Sequence, residues 1–309
     1  MTIWITGANG FIGRHLARAL ADSSEAVHGI GHGAIDEAER RKLGLQSWVN
    51  GEIDAANLNA LASARGTPSV VFHLAGGSSV SLSIAHPFED FSRTVDSTAR
   101  LLEWLRAAAR HCRLIMASSA AVYGSGHGGP IAEDAALAPM SPYGQHKRIA
   151  EQLCESYATD FGVRGTIVRL FSVYGANLRK QLLWDICSRL EQGENALLLG
   201  GTGDEMRDWT DIRDVIRLLV KLAALPATEA PSVINGGSGR GVSVAEVAGL
   251  VVKNWGKPIA IRFSGASRAG DPFSLLSDAT RLSRLPFDWQ IPVDRGIADY
   301  VGWFKARAR

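Results

Sequence analysis

Tyr143 and Lys147 lie four residues apart in Ser141-Pro142-Tyr143-Gly144-Gln145-His146-Lys147, where the pattern predicts a helix running to about Phe161. At that spacing both side chains leave the helix on one face, one turn apart. Ser119 ends the run Arg113-Leu114-Ile115-Met116-Ala117-Ser118-Ser119, which reads as a buried strand and its exit. A phenol, an ammonium and a hydroxyl suit proton transfer at a carbinol or carbonyl oxygen. The phenol, with a pKa of about 10, is a poor acid or base at neutral pH, and a neighbouring ammonium favours its phenolate. The hydroxyl donates to the reacting oxygen while the tyrosine takes or returns the proton. Taken alone, a Tyr-x-x-x-Lys pair is more often two residues on a helix surface. Its weight comes from the rest of the chain.

The chain opens with the apolar strand Thr2-Ile3-Trp4-Ile5-Thr6 and runs into Gly7-Ala8-Asn9-Gly10-Phe11-Ile12-Gly13, followed by an amphipathic helix from Phe11 to about Asp22. Glycines at this spacing between a first strand and a first helix let backbone, helix and ligand approach closely. The helix start adds unpaired N–H groups and a positive dipole end, a place for a pyrophosphate. A dinucleotide site beside a tyrosine, lysine and serine points to hydride transfer to or from a nicotinamide, with the cofactor carrying the electronic step.

The elements that must position these residues alternate in the rhythm of a parallel sheet with crossover helices. Strands are predicted at Thr2 to Thr6, Ala26 to Ile30, Ser47 to Val49, Ser69 to Leu74, Arg113 to Ala117 and Gly165 to Leu170. Helices are predicted at Ala56 to Ala64, Pro87 to Arg110 and Tyr143 to Phe161, and later at Lys180 to Leu190, Ile212 to Leu225 and Val244 to Val252, with a short strand Ile259 to Ile261. The expected fold is α/β: a Rossmann-type doubly wound parallel sheet over residues 1–171, with a smaller mixed α/β C-terminal substrate-binding domain over 172–309. Some later segments, about 205–235, are expected to return to the first domain. Gly7, His32, Gly76 and Ser119 all follow strands, so they should gather at the carboxyl edge, where open α/β sheets bind ligands.

Composition sets bounds. The chain has 309 residues, 46% hydrophobic, with 33 basic against 31 acidic side chains and a formal net charge of +2. That balance gives no reason to expect a nucleic acid partner. No apolar run approaches the ~20 residues that span a bilayer, and no targeting segment is visible, so a cytoplasmic protein is expected. Cys112, Cys154 and Cys187 lack metal or redox spacing. The eight histidines likewise show no metal-binding pattern, and no metal is expected. His73, at a buried strand end, reads as structural.

On these motifs the chain resembles the extended short-chain dehydrogenases/reductases, in the branch of sugar-nucleotide epimerases, dehydratases and reductases. The resemblance covers the whole length and is carried by the turn Thr6 to Gly13, His73-Leu74-Ala75-Gly76, Ser118-Ser119-Ala120-Ala121-Val122-Tyr123-Gly124, Ser141 to Lys147, Arg169-Leu170-Phe171-Ser172-Val173-Tyr174-Gly175 and Arg207-Asp208-Trp209. It implies that Tyr143 is the acid/base, that Lys147 holds the cofactor ribose and tunes Tyr143, and that Ser119 binds the substrate oxygen. It implies cofactor contacts from Gly7, Asn9, Gly10, Phe11, Ile12, Gly13, Arg14, His32, Glu52, Ile53, Leu74, Ala75, Gly76 and Ser118. Substrate contacts are expected from Ser78, Ser119, Ala120, Asn177, Arg179, Lys180, Arg207 and Arg268, the arginines gripping a nucleotide diphosphate. Family members often dimerise through two helices per subunit, so a homodimer is expected, with Ala99, Leu102, Ala150, Leu153 and Cys154 on its seam or against the sheet.

Family dehydratases carry an acidic pair where this chain has Ala120 and Ala121, and alanine cannot shuttle a proton. Dehydration is therefore disfavoured, leaving a ketoreductase or an epimerase. The second strand ends in Gly29-Ile30-Gly31-His32-Gly33, with no acid before Asp36. NAD enzymes commonly place a carboxylate there. Its absence, with Arg14 and His32 nearby, makes NADP the expected cofactor, with NAD the alternative. The expected activity is reduction of a 4-keto-6-deoxy nucleotide sugar; a 4-epimerase is the alternative and a non-catalytic nucleotide-binding protein a distant third. Thr94 and Ser172 stand where the family usually has asparagines.

Overall fold

The computed structural model describes residues 1–266 and 272–307. They divide into two compact units, each made of three segments: the first from 1–123, 136–169 and 216–234, the second from 124–135, 170–215 and 235–309.

The first unit holds a seven-stranded parallel sheet. Its strands in chain order are β1 (Thr2–Thr6), β2 (Ala26–Gly31), β3 (Ser47–Asn50), β4 (Val70–His73), β5 (Arg113–Ser119) and β6 (Gly165–Leu170), completed by Val233–Gly236. Across the sheet the order is β3-β2-β1-β4-β5-β6 and then Val233–Gly236, so the direction of winding reverses between β1 and β4. Ile3, Trp4 and Ile5 of β1 are all buried, as a strand covered on both faces requires. Trp4 stacks on Trp104 with ring centroids 5.1 Å apart.

The helices of this unit are α1 (Phe11–Leu20), α2 (Glu37–Lys42), α3 (Ala55–Arg65), α4 (Val80–Ala85), α5 (Pro87–Phe91), α6 (Ser97–Ala108) and α7 (Pro142–Phe161). α7 has clear signals at both ends. Ser141 caps it by accepting from the Gly144 N–H at 3.2 Å, Pro142 fills its first turn, and Gly162 ends it in the left-handed region at φ 71°.

The single helix expected from Pro87 to Arg110 is interrupted. A π-helical turn, Ser92–Asp96, separates α5 from α6. Ser97 and Thr98 turn their hydroxyls back onto the carbonyls of Arg93 (2.6 Å) and Thr94 (2.5 Å), a pattern that bends helices. Thr94 itself receives the Gly77 N–H at 2.8 Å, so the wider turn aims a side chain at the end of β4. Such π-turns are frequent at functional sites.

The second unit contains a four-stranded sheet in which Met206–Asp211 pairs with Gly241–Ser243, Ser274–Leu275 and Ser172–Tyr174, and a separate parallel pair, Ala196–Leu199 with Ala260–Phe263. Its helices include Gln181–Glu191, Val244–Trp255 and Val293–Ala306, the last not anticipated from sequence. Ile212–Ala224 carries the chain back toward the first unit. Asp208, fully buried on the strand Met206–Asp211, accepts hydrogen bonds from Ser238 and Gly239 of one loop and from Ser277 of another, and so ties the two loops to that strand. Among the described residues no helix is long and apolar enough to cross a membrane.

Candidate active site

Ser119, Tyr143 and Lys147 come together in the first unit. β5 delivers Ser119 at its carboxyl end, where the Oγ accepts the Ala121 N–H at 3.2 Å and starts a tight turn through Ala120–Val122. The first turn of α7 delivers Tyr143, whose hydroxyl is hydrogen-bonded to Ser119. Its backbone N–H donates to Ser83 Oγ of α4 at 3.0 Å. Gly144 lets α7 start against this turn, since a Cβ there would lie 2.6 Å from the Ala121 carbonyl oxygen.

Lys147 is buried, donates from Nζ to the Ala117 carbonyl at 3.1 Å and borders Gly76, where a Cβ would sit 3.1 Å from Nζ. Burial pushes its ammonium down to about 8, against the opposing pull of Asp90 and Glu151. The Tyr143 phenol moves up, chiefly through burial; the Ser119 hydrogen bond opposes this and the Asp90 charge adds to it. The chain's own groups therefore do not supply enough positive charge to make Tyr143 a phenolate at neutral pH. Beneath the trio, His73 is held neutral by burial, its value driven down to about 3, with Thr6 Oγ1 on Nδ1 at 2.7 Å and Thr98 Oγ1 on Nε2 at 3.0 Å.

The glycine turn fits a pyrophosphate. Gly7 sits at φ 69°, and a Cβ on it would meet the Ala75 nitrogen at 2.8 Å. A Cβ on Gly13 would lie 2.2 Å from the Gly7 carbonyl oxygen. Gly10 starts α1 with no side-chain cap and no acid in the first turn, so the N–H groups around Phe11 and Ile12 face no competing carboxylate. Leu74 and Ala75 follow β4 and are held by Thr6 of β1. Beyond β2, His32 Nε2 faces Glu52 at 3.5 Å, and Ile53 is buried in the core. Arg14 is not free: its guanidinium is paired with Glu39 and donates to Asn9 Oδ1 at 2.7 Å. Ser118 turns its hydroxyl into the core onto Glu151, which also holds Arg169 through two of its nitrogens.

Ser78 is exposed on the loop after Gly77, and Ala120 is buried behind Ser119. Asn177, Arg179, Lys180 and Arg207 belong to the second unit. The first three form the approach to Gln181–Glu191, where Asn177 (φ 71°) and Gln181 (φ 68°) both occupy the left-handed region, a strain that gathers at ligand loops. Arg207 donates to the carbonyls of Met206, Pro272 and Phe273. Arg268 lies outside the described residues. Of the residues named for the dimer seam, Leu102, Ala150 and Cys154 lie in the hydrophobic core against the sheet.

Sequence reasoning missed a partly buried hydrogen-bonded pair beside the trio. His146 Nδ1 meets Asp90 Oδ2 at 2.6 Å, and Asp90 also abuts Gly77, where a Cβ would be 1.8 Å from Oδ1. His146 stands next to Lys147 in sequence, but nothing in the pattern around Pro87 marks Asp90 as its partner.

A model described as the NAD dependent epimerase/dehydratase family matches residues 3–237. An uncharacterized UDP-glucose epimerase, YtcB of Bacillus subtilis, is 31% identical over 99% of this chain and 98% of its own. MoeE5, solved with UDP-glucuronic acid and NAD, is 29% identical with a TM-score of 0.87 over the whole of both chains. The UDP-glucuronic acid 4-epimerase of Bacillus cereus, solved with UDP-glucuronic acid and NAD, is 28% identical with a TM-score of 0.87, covering 99% of this chain and 100% of that one.

Two expectations are corrected by these relatives. NADP gives way, because the solved relatives hold NAD and because Arg14, the cation meant for a 2′-phosphate, is neutralised by Glu39. Reduction of a 4-keto-6-deoxy sugar gives way to epimerisation, the activity in the relatives' names. Ser119, Tyr143 and Lys147 serve hydride transfer in either direction, so the lean toward a reductase rested on the missing acid after β2. Glu39 and Glu52 bring acids to that end from elsewhere in the chain. The chain belongs to the NAD-dependent epimerase/dehydratase family.

Proposed function

We propose that the protein is an NAD-dependent nucleotide-sugar 4-epimerase acting on a UDP-hexose or UDP-hexuronate. The observation that carries this reading is the Ser119–Tyr143 hydrogen bond beside buried Lys147, with Ala120 and Ala121 in place of any acid that could remove a further proton. The chemistry NAD supplies when bound is reversible hydride transfer at carbon four of the sugar, with positive charge that favours the phenolate. Tyr143 takes the proton of the 4-hydroxyl as that carbon is oxidised and returns it as the carbon is reduced on its other face. The Ser119 hydroxyl donates to the 4-oxygen throughout and fixes its distance from Tyr143. Lys147, fixed by the Ala117 carbonyl, would hold the ribose hydroxyls of the cofactor and keeps its charge near the phenol.

Incubation with UDP-glucose or UDP-glucuronate and no added cofactor should give a mixture of C4 epimers, followed by the anomeric proton signals. Tyr143→Phe should slow this by at least about a thousandfold, in line with loss of a general acid/base. Protein that releases NAD on denaturation yet interconverts neither class of sugar would overturn the reading. The homodimer remains a proposal, tested by sedimentation; with Leu102, Ala150 and Cys154 in the core, its contact must come from other residues of the same helices.

A further inference from the structure

In a doubly wound fold the residue ending the second strand meets the adenosine ribose, through a carboxylate for a 2′-hydroxyl or a nearby arginine for a 2′-phosphate. Here that strand ends in Gly31, which has no side chain to do either. The surrounding groups are nonetheless arranged. Arg14 pairs with Glu39 and donates to Asn9 Oδ1 at 2.7 Å. Asn9 in turn donates to the His32 carbonyl at 3.1 Å and fills the space beside Gly33, where a Cβ would lie 2.6 Å from its Nδ2.

Glu39 is itself anchored. Asp36 caps α2 by accepting the Glu39 N–H at 2.8 Å, and Arg18 approaches the Glu39 carboxylate at 3.4 Å. The arginines of α2 are occupied elsewhere: Arg40 and Arg41 both pair with Glu37, at 2.7 and 2.9 Å. Each of these four arginines therefore already faces a carboxylate, and Arg14 is the one tied to the glycine turn itself.

We propose that Glu39, supplied by α2 and not by the second strand, is the residue that sets preference for a 2′-hydroxyl over a 2′-phosphate, by holding Arg14 and placing a carboxylate at this corner. The inference rests on the NAD reading above and adds the residue responsible for it. Glu39 acts in two ways. It withdraws the arginine fork that would grip a phosphate, and it repels a dianion while tolerating a hydroxyl. Replacing its charge should release Arg14 and remove the repulsion together. Replacing Arg14 as well should undo the first effect.

The test is equilibrium binding by calorimetry, with NAD and NADP, and with 5′-AMP and adenosine 2′,5′-bisphosphate as fragments of each. Wild-type protein should prefer NAD. In Glu39→Gln the ratio of NAD to NADP affinity should move at least about tenfold toward NADP, and the fragments should follow, as expected for one new charge-assisted hydrogen bond from Arg14 to a phosphate oxygen. Most of that movement should vanish in Glu39→Gln/Arg14→Gln. Glu39→Ala, read the same way, covers the case in which the glutamine variant does not fold. A ratio that stays within twofold of wild type in the folded variant, with wild type still preferring NAD, overturns this proposal alone. Wild-type protein that binds NADP more tightly, or binds neither dinucleotide, overturns the NAD reading with it.

Discussion

Lys147→Met should abolish epimerisation and yet make the protein more stable at neutral pH. The ammonium is almost completely removed from water, and burial brings it down from 10.5 to about 8 even with Asp90 and Glu151 pulling the other way. Below pH 8 the group is protonated in both the folded and unfolded chain, and folding bears the full penalty. Between pH 8 and 10.5 the folded lysine gives up its proton first, the unfolded chain binds more protons, and stability rises with pH. Above 10.5 the penalty is gone. Linkage between those two values gives a penalty of about 3 kcal/mol at pH 7 and about 1 kcal/mol at pH 9.5. Methionine avoids it but loses the hydrogen bond to the Ala117 carbonyl, worth about 1 kcal/mol. The variant should therefore be about 2 kcal/mol more stable than wild type at pH 7, an advantage that disappears by pH 9.5. Urea melts of both proteins, stripped of nucleotide, at the two pH values measure this directly. A variant less stable than wild type by a margin that does not change with pH would refute the reasoning, because it would mean that the folded lysine is as well solvated or paired as in water.

Gly13→Ala should weaken NAD binding at least tenfold and cost about 1–3 kcal/mol, since the new methyl meets backbone at the Gly7 carbonyl and Ala8 Cα that no rotamer can relieve; calorimetry and thermal melts read the two effects. Arg169→Met should cost about 3–5 kcal/mol by leaving Glu151 charged and buried, whereas Arg169→Met/Glu151→Met should recover much of that loss in urea melts. A double variant no more stable than the single would mean that Glu151 is not the source of the penalty.

What the sequence revealed depended on how local the signal was. β1 was readable from its apolar stretch Ile3-Trp4-Ile5 and β4 from Val70-Val71-Phe72, and Tyr143, Lys147 and Ser119 as a spacing plus a strand end. The ends of α7 were marked by Ser141-Pro142 and Gly162, which act within one turn. The misses were all interactions at a distance. Glu39 stands far down the chain from Arg14, and only the fold of α2 brings their charges together. The π-turn depends on hydroxyls and on Gly77 from another strand's exit. The helix Val293–Ala306 was hidden by Gly296, which weakens a helical reading. That glycine is required by packing, because a Cβ there would lie 2.1 Å from the Tyr174 hydroxyl. Ala120 and Ala121 disfavoured dehydration, but no residue type distinguishes a hydride delivered once from one taken and returned.

The three-segment make-up of the first unit has a consequence for how the protein can be made. β6 is not the edge of its sheet: Val233–Gly236 covers it, and the Ile167 N–H reaches the Ser232 carbonyl at 2.8 Å. During synthesis β6 emerges well before that strand exists, with a row of open hydrogen-bonding groups and Val168 and Leu170 beside it. An uncovered edge of this kind templates pairing with other chains. A fragment cut after Phe171 would keep the reacting trio and the glycine turn but carry that edge permanently. It should aggregate unless residues 216–236, which include the covering strand, are supplied, so the cofactor-binding half cannot be excised as a contiguous piece.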